Sequence, residues 1–139
     1  MEMKHFIYVI FLFTIIGCSG DDDGAPVNPP SNPSGLTGIW NLVNVTGGFA
    51  GINDDFDKGV IVWDFDDTKK RVEVTNNNAA NSSTEDLFPT GIYTFSIITI
   101  NGNKELIVNE RNLGNFEITT NEFVVDEQFK DGFRYTFRR

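Results

Sequence analysis

The chain has 139 residues, with 11 lysines and arginines against 20 aspartates and glutamates, a net charge of −9. That balance excludes the basic footprint by which proteins hold nucleic acid. The single histidine, His5, and the single cysteine, Cys18, both lie near the start, so the remainder has no Ser-His or Cys-His nucleophile, no His- or Cys-ligated zinc, no His-held haem and no disulfide.

Phe6 to Ile16 is an apolar run broken only by Thr14, preceded by Lys4 and followed by Gly17-Cys18. Crossing a bilayer takes about 20 residues in a helix, whereas the apolar part of a signal peptide takes about 7 to 15. Glu2 departs from the usual basic start, and Met3-Lys4-His5 offers an alternative one. Ile15-Ile16-Gly17-Cys18 resembles the lipobox of bacterial lipoproteins, with an aliphatic residue three before the cysteine and a small one directly before it. The resemblance implies that residues 1–17 are removed and that Cys18 becomes a lipidated first residue, anchoring the protein to a membrane.

Residues 18–35 form a linker in two parts. Asp21-Asp22-Asp23 is too charged for a packed element and is similar to the acidic export tag of surface-displayed lipoproteins. Ser19, where an aspartate would signal inner-membrane retention, directs the expectation to the outer membrane, its exposed face included. Pro26, Pro29, Pro30 and Pro33 then favour extended polyproline II, a spacer between membrane and domain.

From Leu36 to Arg139 almost all periodicity is that of strands. Trp40 and Leu42 alternate, and the pattern shifts to Val43 and Val45 as across a bulge. Ile61, Trp63 and Phe65 share one face of a second strand, and Val72 and Val74 mark a third. Tyr93, Phe95 and Ile97 mark a fourth, and Asn101-Gly102 supplies a tight hairpin into Leu106 and Val108. Phe116 and Ile118, then Phe123 and Val125, precede a last strand with Phe133, Tyr135, Phe137 and Arg139 on one face. The connection Gly47 to Gly59 reads as a loop, in which Phe49, Ile52 and Phe56 hint at a short helical turn. Asn76 to Pro89 reads as a polar, variable loop with little chemistry, open to a partner.

Eight consecutive antiparallel strands with one apolar face predict an all-β, up-and-down β-barrel, since closure removes both exposed edges. Thirteen phenylalanines, 3 tyrosines and 2 tryptophans are enough to fill much of its lumen, so any cavity should be small. Leu36-Thr37-Gly38-Ile39-Trp40 resembles the Gly-x-Trp start of the first lipocalin strand, and residues 36–139 are similar to short lipocalin-like domains of bacterial lipoproteins. The resemblance implies that Trp40 closes the barrel floor under an arginine from the last strand, here Arg139 with Arg138 as second choice. The missing flanking helix and the small size depart from larger members, which carry deep apolar pockets.

Acidic spacing gives no metal site: Asn53, Asp55, Asp57 and Asp64 mimic a calcium loop, but Lys58 stands where the turn needs glycine. Three functional alternatives stay open. The first is a tethered module holding a small apolar or amphipathic ligand at the barrel mouth, with Phe49, Ile52, Phe56, Trp63 and Tyr93 as contacts. A second is a surface interaction protein with a filled barrel, and the third a carboxylate-dependent hydrolase. Neither cofactor nor catalytic residue is assigned, and the chain is expected not to be an enzyme.

Overall fold

The computed structural model describes residues 34–79, 85–127 and 131–139. The chain divides into two units, Met1–Ser31 and Asn32–Arg139. The first lies outside the described residues, and with it the expected signal peptide, Cys18 and nearly all of the linker.

The second unit is built from nine strands among the described residues: β1 (Gly38–Gly47), β2 (Ile52–Asp55), β3 (Ile61–Asp66), β4 (Arg71–Asn76), β5 (Gly91–Ile100), β6 (Asn103–Val108), β7 (Arg111–Ile118), β8 (Glu122–Asp126) and β9 (Phe133–Arg138). All pairings are antiparallel, and β9 returns to β1 along Asn41 to Gly47, so β1 and β3 to β9 close an eight-stranded barrel. The register across that seam shifts between Leu42 and Asn44, leaving Val43 as the extra residue of a bulge. The bulge moves the buried set from Trp40 and Leu42 to Val45, so a single strand keeps its apolar side inward while it bends.

β2 replaces the expected helical turn. The lower half of β1, Gly38 to Asn41, pairs with β3, whereas its upper half, Asn44 to Gly47, pairs with β2. Without β2 that half-edge would leave its backbone groups unpaired, and satisfying a backbone edge outweighs a three-and-four spacing of three apolar residues. Elsewhere tight turns set the register. Asn101 and Gly102 have φ of 51° and 85°, the paired positive values that a two-residue hairpin loop requires. Asn109 and Glu110, at 48° and 67°, make a second such loop between β6 and β7.

The two ends of the barrel follow from this order. The floor holds Leu36, the β3–β4 turn, the β5–β6 hairpin tip and the β7–β8 turn; the mouth holds the β1–β2, β4–β5, β6–β7 and β8–β9 connections, while the β2–β3 connection lies along β1, bonded to Asn41 and Arg139. Between them the inner faces form one apolar core containing Trp40, Trp63, Phe65, Phe95, Phe116, Phe123, Tyr135 and Phe137. Phe123 and Phe137 stack at 4.3 Å, and Trp63 lies 5.0 Å from Phe137.

Candidate functional site

The mouth is where the ring-bearing loops were expected to meet a ligand, and it is closed. Leu87 and Phe88, from the connection between β4 and β5, are buried in the core, and the Phe88 ring lies 5.8 Å from Trp63 and 5.0 Å from Tyr93. The second half of the Asn76–Pro89 connection is therefore a cap rather than a polar loop. Its apolar pair covers the lumen, whose exposure to water would cost more than ordering the segment. Asn76 Nδ2 donates to the Phe88 carbonyl and Tyr93 Oη to the Pro89 carbonyl, which pins the cap to β4 and β5. Leu87 itself has φ of 70°, a left-handed conformation costly for a leucine.

Charged groups brace the same end. Arg111 donates to Glu85 at 3.2 Å and to Glu127 at 3.3 Å, and its second amino group lies 3.4 Å from Tyr135 Oη. Burial works against the guanidinium, but Glu127, Tyr135 and Glu85 outweigh it and hold its pKa above the usual range. Burial, followed by the nearby Glu85 charge, pushes the Tyr135 phenol well above its ordinary value. An arginine committed to two carboxylates has little left for an incoming ligand.

The expected mouth contacts are only partly assembled. Trp63 is fully enclosed, with its Nε1 buried and without a hydrogen-bond partner among the described residues. Ile52, Phe56 and Tyr93 are half-buried and packed against the core, whereas the Phe49 ring projects into solvent. The acidic set also comes apart: Asn44 Nδ2 bonds both Asn53 Oδ1 and Asp55 Oδ1, while Asp64 pairs across with Ile39 near the floor.

At the floor, Trp40 Nε1 donates to the Leu36 carbonyl at 2.6 Å, and the Arg139 guanidinium lies over the Trp40 ring, 4.1 Å from its centroid. Arg139 also donates to the carbonyls of Gly35 and Thr37, tying the segment before β1 to the end of β9. Arg138 points the other way and pairs with Glu122 at 2.8 Å.

An open cleft of about 440 Å³ lies beside this floor. It is lined by Ser34, Lys70, Phe95, Ser96, Ile97, Thr99 and Lys104, and so runs between the β3–β4 turn and the β5–β6 hairpin. β4 pairs with β5 only from Gly91 to Thr94, and β5 continues beyond it, beside β6 alone, to Ile100. The overhang leaves the cleft. Ser34 donates to Asp67 through both its amide and its hydroxyl, and Asp67 pairs with Lys70, so one carboxylate ties the β3–β4 turn to the segment before β1. Alternation in β6 does signal Lys104, which shares a face with Leu106 and Val108. Which turn would stand opposite it, no local pattern indicates.

No protein-family model and no curated protein matches the sequence. A solved lipocalin-like protein from Bacteroides uniformis superposes with a TM-score of 0.46 at 11% identity, over 76% of this chain and 98% of that one.

Proposed function

We propose that this chain is a lipid-anchored outer-membrane protein, acylated at Cys18, that binds one small amphipathic molecule in the floor cleft and uses its filled barrel as a rigid support. It is a binding protein, not an enzyme. The observation that carries the reading is the contrast between the ends: the lumen is occupied by rings up to the Phe88 cap, while the cleft of about 440 Å³ stands open beside Phe95 and Ile97. An eight-stranded barrel has room for packed side chains or one small ligand, and here the side chains take it.

Native mass spectrometry of the protein, extracted gently from its host membrane, tests the ligand. An extra mass that disappears on denaturation supports the reading, and a bare acylated chain counts against it. The filled lumen equally suits an interaction protein that takes no small ligand, the reading to which a bare mass would turn. Anchoring is tested separately by Cys18→Ser. Acyl chains contribute about 0.8 kcal/mol per buried methylene, so the variant should remain unprocessed or leave the membrane, and processing with retention would refute the anchor.

A further inference from the structure

The floor cleft has an apolar half and a cationic half. On the concave side of the β5–β6 hairpin the cross-strand pairs are Phe95 with Val108, Ile97 with Leu106, and Thr99 with Lys104, in order toward the tip. The first two pairs are hydrocarbon; the third presents a hydroxyl and an ammonium. Lys70 stands on the opposite wall, its Nζ 5.6 Å from the Phe95 ring centroid. Asp67 answers one of these two ammonium groups, Lys70. The Lys104 ammonium has no partner among the described residues. The pair with its single carboxylate therefore keeps one positive charge, on a chain whose net charge is −9.

Resting on the cleft reading above, we infer that the ligand is an anion carried on a short hydrocarbon tail, a carboxylate or a phosphate monoester. Its head lies at Lys104, Thr99 and Lys70, and its tail lies over Phe95 and Ile97. The head gains from a charge that no described side chain answers, and the tail covers the half-buried Ile97 side chain left open beyond the end of β4, beside the buried Phe95 ring. From Ser96 onward the edge of β5 away from β6 has no strand beside it among the described residues, so its backbone N–H groups add donors for the head. A neutral amphiphile would use the tail half alone and leave Lys104 unanswered. An anion without a tail would meet the ammonium groups but gain nothing from the apolar half.

The test uses the full chain, labelled with nitrogen-15 and held in phosphatidylcholine nanodiscs, titrated with octanoate, octyl phosphate and octanol. Both anions should shift the amides of Ile97, Thr99 and Lys104, binding at least about tenfold more tightly than octanol, the size of one close charge pair at a protein surface. Lys104→Gln should return octanoate to the level of octanol and leave octanol unchanged. Equal binding of octanoate and octanol by the unmodified chain would overturn the anion inference and leave the cleft reading standing. No shift with any of the three would overturn both. Discs doped with phosphatidic acid, whose head is a phosphate monoester, identify the source: the same shifts without octanoate mean that the head group is the membrane's own, and their absence means a soluble amphiphile.

Discussion

Trp40 and Trp63 are both fully buried, yet their indole N–H groups are treated differently. Trp40 Nε1 bonds the Leu36 carbonyl, whereas Trp63 Nε1 has no partner among the described residues. An unmade buried hydrogen bond costs about 1–3 kcal/mol. Trp63→Phe removes the orphan donor along with part of the ring, so the two effects oppose each other and the net loss should be about 1 kcal/mol. Trp40→Phe strands the Leu36 carbonyl and leaves Arg139 a smaller, weaker π face, a loss of about 2 kcal/mol. Urea unfolding of the two variants measures the difference, and equal losses would show that the Trp63 donor is satisfied in solution. Alternation places both residues inward from sequence alone. The partner of each donor is not legible that way, because Leu36 lies in an irregular segment whose path depends on closure of the whole floor.

Strand β7 shows the same limit at the next scale. Phe116 and Ile118 announce its second half, but its first half, Arg111 to Gly114, reads as turn residues and hides among them. The structure needs this stretch because β6 must be paired along its length, and a register shift between Glu105 and Ile107 takes up the mismatch. Gly114 sits there with φ of 84°, where a Cβ would lie 2.1 Å from the Asp126 carbonyl oxygen. Gly114→Ala therefore combines a left-handed alanine with a clash against β8 backbone. It should cost about 3 kcal/mol or more, seen as a lower urea midpoint. A loss under about 1 kcal/mol would mean that β8 can move away cheaply. β2 and the Leu87–Phe88 cap were hidden for a related reason. Each is called into place by a demand elsewhere, an unpaired half of β1 in one case and an uncovered lumen in the other.

For the molecule as a whole, charge and closure act together. Period-two patterning with short connections was enough to give a barrel, since eight paired strands with one apolar face have few other ways to protect their edges. The cleft was not legible, because it is the gap between the β3–β4 turn and the β5–β6 overhang, two features set by strand length rather than by motif. Asp67 fixes one side of that gap by tying the β3–β4 turn to Ser34. Burial pushes its carboxyl up, but the hydrogen bonds from Lys70 and Ser34 prevail and leave it below its ordinary 3.8; Asp66 is lowered too, chiefly by Lys69. A carboxyl lowered in the folded state stabilises fully above its unfolded value, and that contribution disappears as pH falls through the folded one. The urea midpoint should therefore begin to fall below about pH 3.8. Asp67→Asn should lower the midpoint at neutral pH and flatten the acid limb. At pH 7 the net charge of −9 opposes compaction, so added salt should raise the midpoint by screening it, while in acid salt should not restore the Ser34 and Lys70 bonds to a protonated Asp67. An acid limb equally steep in Asp67→Asn would place the lost stability in other carboxylates and remove Asp67 as the clasp of the floor.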